Sequence, residues 1–366
     1  MSISEIYGYV RKKLDSQNPT ISATGSFDGN KIIPNIRYSN LGRLNLPPSH
    51  PTNTLRVLLV KSSIKYPIKD DGDFGIPLGL WLLKSYVRRT TTNIVVDIFD
   101  KRLRTLQGNT ESFEECAKEY DVIGTSMCSC EVPPSIEKMR IAKELGKITI
   151  AGGIFTYSNE DYLLDYPFVD FVIPGVGTLS MAKLLNELRK RKEHSNLETV
   201  VRHINEKSFD CFGLQNVYSR CNQNDAVMWE TASIPHIELD VWDEIIQQYG
   251  PYIRGKIDMY TSRGCNKICS FCSVQRETKR NVISCDSDHV IRSIRHLYDI
   301  GMRKFSIKDE DFFLHGESRV RNILEQFKDY NDISFKIRAR IDTMLASNVS
   351  IEDLAQYHIC EIQYGV

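Results

Sequence analysis

The chain has 366 residues, enough for two domains at roughly 150 residues each. Its 47 Lys and Arg balance 47 Asp and Glu, which excludes a strongly basic nucleic-acid binder and an acidic tail protein. Apolar residues are 41% and aromatic residues 10% of the chain, which excludes wholesale disorder. No apolar run approaches the roughly 18 residues of a membrane span. The start, Met1 to Tyr7, has no basic segment followed by an apolar one, so the expectation is a cytoplasmic protein with no membrane partner. Ten cysteines in that setting need a reason other than disulfides.

Residues 1–54 read as an N-terminal arm. A short amphipathic helix is expected over Ser4–Leu14, followed by a stretch rich in Ser, Asn, Pro and Gly that ends in Leu46-Pro47-Pro48-Ser49-His50-Pro51. A first domain is expected over 55–191. Leu55–Val60 is apolar but for Arg56, the pattern of a strand buried on both faces. Further strands are expected at Asn93–Phe99, Asp121–Thr125, Lys147–Ala151 and Val169–Pro174. Helices are expected at Pro77–Arg88, Ser112–Glu119, Pro134–Leu145, Glu160–Leu164 and Leu179–Arg191. Alternation of this kind gives an α/β class with a parallel sheet covered on both faces, a flavodoxin-like or Rossmann-like layer fold.

Residues 192–255 read as a linker with some structure, including a hairpin around Cys211–Val227 and a helix near Asp240–Tyr249. From Lys256 the rhythm resumes over 256–366. Strands are expected at Ile257–Thr261, Lys304–Lys308, Ser334–Arg338 and Cys360–Tyr364, and helices at Asp286–Ile300, Ser318–Tyr330 and Ser350–Tyr357. Asp286 or Ser287 caps the first of these helices, Gly301 stops it, and Ser350-x-x-Asp353 forms a capping box on the last.

Arg263-Gly264-Cys265-Asn266-Lys267-Ile268-Cys269-Ser270-Phe271-Cys272 follows the strand at Ile257–Thr261 directly. Three thiolates at C-x₃-C-x₂-C spacing suit three corners of a [4Fe–4S] cluster, and the absent fourth cysteine leaves one iron open for chemistry. A zinc site needs a fourth ligand, and neither Cys285 nor a histidine has knuckle spacing. Three unligated core cysteines are disfavoured by the tight spacing.

These residues resemble the radical S-adenosylmethionine (SAM) superfamily, whose signature is this cysteine triplet with an aromatic before the last cysteine, here Phe271. The resemblance implies that Cys265, Cys269 and Cys272 hold a [4Fe–4S] cluster whose open iron binds SAM. Electron transfer then cleaves a carbon–sulfur bond to give a 5′-deoxyadenosyl radical. It implies a β/α barrel of the TIM type, with SAM contacts at the carboxyl ends of its strands. Asp309 and Glu310, after the second barrel strand, are placed to take the SAM ammonium; a solvated acidic turn is the equal alternative. Arg338 and Arg340 end the third strand, and Arg340, on the loop side, is preferred for the SAM carboxylate.

Four segments sit at carboxyl ends of first-domain strands. They are Ile76-Pro77-Leu78-Gly79-Leu80, Asp121-x-x-Gly124-x-Ser126, Ala151-Gly152-Gly153 and Pro174-Gly175-Val176-Gly177-Thr178. Their order resembles the cobalamin-binding radical SAM subfamily, from about Thr54 onward. The resemblance implies that Pro77, Gly79, Gly124, Ser126, Gly152, Gly153, Gly175 and Gly177 bind cobalamin. The chain departs from that pattern in three places. The last segment lacks the subfamily's two acidic residues, Ile154-Phe155 stands where a histidine is common, and no D-x-H-x-x-G supplies a cobalt ligand. A domain that keeps only the sheet is the alternative. Cys128 and Cys130 end the third strand and read as small core residues, and Trp81, Trp229 and Trp242 read as packing.

The implied function is cobalamin-dependent methyl transfer to an unactivated centre of a small-molecule or peptide substrate, with a flavodoxin or ferredoxin as reductant. A radical cyclase or rearrangement enzyme with the same cofactors, or a non-catalytic cluster-binding fragment, are the alternatives. Tyr364-Gly365-Val366 matches the start of the family's Gly-Val-Glu segment, which makes Gly365 an implied SAM contact. From Lys256 roughly 110 residues remain, where a six-unit barrel takes roughly 190. The expectation is therefore a C-terminally truncated barrel of four strands, with a partner chain completing it.

Overall fold

The computed structural model describes residues 54–62, 75–206, 214, 217–219, 236–274, 278 and 280–365. The expected arm and its helix over Ser4–Leu14, most of the hairpin around Cys211–Val227, Trp229 and Val366 lie outside these residues. The described residues fall into two compact units. One holds 54–252 together with 266–281, and the other holds Ile253–Cys265 and Val282 onward.

The first unit is built on β1 (Leu55–Lys61), α1 (Leu78–Thr90), β2 (Ile94–Asp100), α2 (Lys101–Leu106), α3 (Phe113–Ala117), β3 (Val122–Ser126), α4 (Val132–Glu144), β4 (Ile148–Gly153), α5 (Glu160–Leu164), β5 (Phe171–Pro174), α6 (Thr178–His194), α7 (Leu197–Asn205), β6 (Tyr218–Ser219) and α8 (Leu239–Tyr249). The strand order is β2-β1-β3-β4-β5-β6, parallel except for β6. The order 2-1-3-4-5 decides for the flavodoxin-like arrangement over the Rossmann one.

The apolar run of β1 is explained by its central place. Leu55, Val57 and Leu59 enter one core with Leu80 and Val87 of α1, and with Leu184, Leu185 and Leu188 of α6. Leu58 and Val60, of opposite parity, enter a second core with Ala117 and Ala142. Met139, Leu163 and Val172 extend that other layer toward β5. Within the stretch expected as a linker, α7 sends Val200 and Ile204 into the first of these cores. There too, α8 docks on α1: the Glu238 N–H donates to Ser85 Oγ at 2.9 Å and Glu244 pairs with Lys84 at 2.6 Å. The expected strands and helices are present with ends shifted by a few residues. Helix α2 is an addition. Its Lys-Arg-Leu-Arg-Thr-Leu has little apolar periodicity, and Asp100 starts it by accepting the Arg102 N–H at 3.0 Å.

The second unit holds β7 (Lys256–Met259), β8 (Ser262–Arg263), β9 (Ile283–Ser284), α9 (Ser287–Asp299), β10 (Lys304–Ile307), α10 (Glu317–Leu324), β11 (Ser334–Ala339), α11 (Ile341–Ala346), α12 (Ile351–Gln356) and β12 (Ile359–Tyr364). Strands β7, β10, β11 and β12 form a parallel sheet in chain order, with helices in the connections. Asp286 caps α9 by accepting the His289 N–H at 2.9 Å, and Ser350 and Asp353 form the expected capping box.

This sheet has two unlike faces. Ile257, Met259, Phe305, Ile307, Phe335, Ile337 and Ala339 are buried, and the Phe335 ring lies 5.7 Å from Phe305 and 5.8 Å from Phe327. Residues of opposite parity are polar. One register row reads Asp258, Ser306, Lys336, Glu361, and the next pairs Arg338 with Gln363. Lys336 pairs with Glu361 at 2.5 Å, and Lys308 with Asp258 at 3.3 Å.

Candidate functional site

The cysteine loop leaves the second unit at the carboxyl end of β7. Its base is closed by the β8–β9 ribbon, where Ser262 faces Ser284 and Arg263 faces Ile283, and by the Cys285 N–H donating to the Thr261 carbonyl at 2.8 Å. Gly264 turns the chain at φ +94°, a conformation that favours glycine. Cys265, Cys269 and Cys272 are half-buried, and the Cys272 N–H donates to the Cys269 carbonyl at 3.1 Å. Between them Ile268 is 69% and Phe271 82% exposed, a large apolar surface on a loop of this kind. A turn bearing three half-buried thiols beside exposed apolar groups is a donor set that fits an iron–sulfur cluster.

Asp309 carries the base of this loop. It is fully buried, and it accepts the Thr261 N–H at 2.7 Å, the Thr261 hydroxyl at 2.6 Å and the Ser262 hydroxyl at 2.6 Å. A solvated turn does not describe Asp309, because both its oxygens are taken up by Thr261 and Ser262. Glu310 differs: it accepts the Gly264 N–H at 2.9 Å and pairs with Arg263 at 3.4 Å, with 19% of its side chain exposed. The partially buried guanidinium of Arg319 donates to the Thr261 carbonyl at 2.6 Å. Burial holds Arg319 below the usual arginine range, with Asp309 and Cys285 opposing. Burial, reinforced by Asp309, pushes the Cys285 thiol up to about 12. Cys285 is thus a core thiol, protonated as it stands beneath the loop.

Thr261, Ser262 and Arg319 were not singled out from the sequence. Asp309 lies 48 residues after Thr261 and Arg319 lies 58 after it, and no local pattern announces either pairing. Arg340 caps α11 and binds Asp342 at 2.8 Å, while Arg338 stands on the polar sheet face and donates to Gln363 at 3.2 Å. The Gly365 N–H donates to the Ala339 carbonyl at 3.4 Å.

In the first unit the carboxyl edge of the sheet brings expected residues into line. Asp100, Lys61, Ser126 and Gly152 occupy one register row across four strands, and Gly153 pairs with Pro174 on β5. A Cβ on Gly152 would make only ordinary contacts, at 3.6 and 3.8 Å. One on Gly153, at φ +95°, would stand 2.5 Å from the Met127 nitrogen. Gly79 is exposed in the first turn of α1 after Pro77, with nothing within 4 Å, and Gly175 turns the chain at φ +69°. At two more of the eight residues, as at Gly153, close packing already calls for a glycine. Gly124 is buried inside β3, where a Cβ would meet Leu59 at 2.9 Å, and at Gly177 it would meet Ile173 at 2.9 Å. A backbone shelf at Ser126 and Gly152, beside Ile154 at 53% exposure, fits a large ligand with an apolar rim. Cys128 and Cys130 are not core residues. Cys130 is exposed, Cys128 is half-buried, and their sulfurs lie 3.2 Å apart. Trp81 and Trp242 are buried, as packing requires.

No described helix is long and apolar enough to cross a membrane. The chain matches no protein-family profile. It is 23% identical over 308 residues to an uncharacterised methyltransferase of Pyrococcus horikoshii, covering 79% of this chain and 61% of that protein. It is 23% identical over 225 residues to an uncharacterised methyltransferase of Synechocystis, covering 60% of this chain and 35% of that one. Among solved structures it resembles the radical SAM methyltransferase TsrM of Kitasatospora setae with cobalamin and a [4Fe–4S] cluster bound, with TM-score 0.58 and 16% identity. The same protein with tryptophan substrate and the SAM analogue aza-SAM gives TM-score 0.56 and 15% identity, and each match covers 85% of this chain and 59% of TsrM. The chain thus spans about three fifths of the first relative and of TsrM, and it shares with TsrM a mixed α/β fold with parallel sheets, the coarse fold class that the sequence implied.

Proposed function

We propose that the chain carries the cofactor-binding parts of a cobalamin-dependent radical SAM methyltransferase. The observation that carries this reading is the C-x₃-C-x₂-C loop set at the carboxyl end of the first strand of a parallel sheet, in a chain with the TsrM fold. The four-stranded sheet of the second unit is then an arc of a β/α barrel. Its helix-covered apolar face is the outside, and its polar face is the lumen.

Cys265, Cys269 and Cys272 would hold the cluster. Phe271, Glu310, Arg340 and Gly365 would contact SAM, and Ser126, Gly152, Gly153, Pro77, Gly79 and Gly175 would contact cobalamin. When bound, these groups supply the electron that cleaves SAM and the methyl group that is transferred. The chain's own residues position and shield. Asp309 and Arg319 hold Thr261 and Ser262, so that Gly264 and Cys265 leave β7 in one direction. Glu310 steadies the turn through the Gly264 N–H, and Ile268 and Phe271 present an apolar wall that excludes water once covered. The two curated relatives favour methyl transfer over the cyclase alternative, since both are named methyltransferases. The substrate is a small molecule or peptide, and the reductant a flavodoxin or ferredoxin.

The test is anaerobic reconstitution with iron and sulfide, followed by SAM, cobalamin and a strong reductant. The expected result is cluster absorbance, retained corrinoid and 5′-deoxyadenosine, with Cys269→Ala abolishing the first and the last. A cluster that forms without 5′-deoxyadenosine would support the non-catalytic fragment. Cluster absorbance surviving Cys269→Ala would refute the assignment of ligands.

A further inference from the structure

We propose that Cys128 and Cys130 form a thiol–disulfide exchange site at the carboxyl edge of the first sheet, which takes a small disulfide as oxidant and uses Glu131 as its base. The site lies just past the end of β3, beside the β1 end, where an open sheet of this strand order reverses direction and offers a crevice. The two sulfurs are 3.2 Å apart, and a disulfide of about 2 Å requires them to close by roughly 1 Å.

Glu131 is built into the pair. Its side chain is 7% exposed and forms an ion pair with Lys61, the last residue of β1. Its Oε2 accepts the Cys128 N–H at 3.2 Å and lies 3.3 Å from Cys128 Sγ, positioned to accept the thiol proton. Burial, with Cys130 and Glu131 adding to it, pushes the Cys128 thiol up to about 11. Cys128 therefore rests as a protonated thiol and needs a base at the moment it reacts. Cys130 is the exposed partner that an incoming molecule meets first.

The chemistry balances as two exchanges. The Cys130 sulfur attacks one sulfur of the small disulfide, which breaks the S–S bond. This gives a mixed disulfide on Cys130 and releases one small thiol, which takes the Cys130 proton. Cys128 then attacks the Cys130 sulfur while its proton passes to Glu131. The Cys128–Cys130 bond forms, and the second small thiol leaves, taking that proton. Two protein thiols are oxidised and one small disulfide is reduced to two thiols.

The experiment treats the reduced full-length chain anaerobically with glutathione disulfide, alkylates what remains, and maps the tryptic peptide Glu119–Lys138, in which Cys128 and Cys130 are the only cysteines. The expected product is this peptide two hydrogens lighter, with neither cysteine alkylated and no glutathione attached. Cys128→Ser is expected to trap a lasting glutathione adduct on Cys130. Glu131→Gln is expected to give the same disulfide roughly a hundredfold more slowly, the lower range for a positioned base, with Glu131→Asp recovering part of the rate. A wild-type peptide that carries two alkyl groups or a lasting glutathione adduct would overturn the site. A wild-type rate in Glu131→Gln would overturn the role of Glu131.

Discussion

The two sheets place their polar chemistry differently. The first sheet is buried on both faces, so apolar side chains of either parity are used up in packing, and only the carboxyl edge is left to meet a ligand. The second sheet buries one face and leaves the other lined with Asp258, Ser306, Lys336, Arg338, Glu361 and Gln363. A change to Gly152, at the edge of the first sheet, therefore tests ligand approach, whereas a change under the second sheet's loop tests how that loop is held.

The largest expected effect separates the two units. Asp309→Leu leaves the Thr261 N–H and two hydroxyls buried without an acceptor, a cost on the order of 3 kcal/mol or more. Hydrogen exchange should rise through β7 and β10. The fluorescence transition should not move, because the three tryptophans, Trp81, Trp229 and Trp242, all precede the second unit. A fluorescence midpoint that falls with the exchange would show that the units do not unfold separately. Next comes Gly153→Ala, which forces a Cβ against the Met127 backbone at positive φ. It should cost about 1–3 kcal/mol in the first unit alone, seen as a lower fluorescence midpoint in urea.

Gly152→Val sharpens the comparison without unfolding anything. The site has room for the first atom, so the fluorescence midpoint should hold, while corrinoid retention falls roughly tenfold, about 1.4 kcal/mol. Unchanged retention would move the cobalamin away from this shelf. The smallest effect concerns pH. Burial, aided by the Arg319 charge, holds His315 below the usual histidine range. The unfolded chain then binds more protons than the native one. The stability His315 contributes is full above its unfolded value of about 6.5 and is lost as pH falls from there through the lowered folded value. In His315→Gln the loss of protection against exchange in the second unit between neutral and mildly acidic pH should shrink.

Legibility in the sequence followed the range of the interaction. Leu55–Val60 announced a central strand because all of it but Arg56 is apolar, and Ser350-x-x-Asp353 announced a cap because its partners are three residues apart. The cysteine triplet was legible for the same reason. Asp309 was readable as an acidic group after a strand but not as the anchor of Thr261 and Ser262. Gly124 and Gly177 looked like their neighbours in the glycine segments, yet their reasons are the Leu59 and Ile173 side chains that face them. Cys128 and Cys130 had the composition of a core, and only the turn after β3 brings Cys130 to the surface.

The two-residue ribbon of β8 and β9 has a consequence for how the cysteine segment tolerates change. With Ser262 and Arg263 already paired to Ser284 and Ile283, the entropy of bringing the two ends together is met by the protein before any iron arrives. Closing a loop costs only about 0.6 kcal/mol more for each doubling of its length. Residues added between Cys272 and Ile283, beyond the last thiol and before the ribbon, should therefore be absorbed with little loss of cluster affinity. The same insertion between Cys265 and Cys272 should abolish cluster binding.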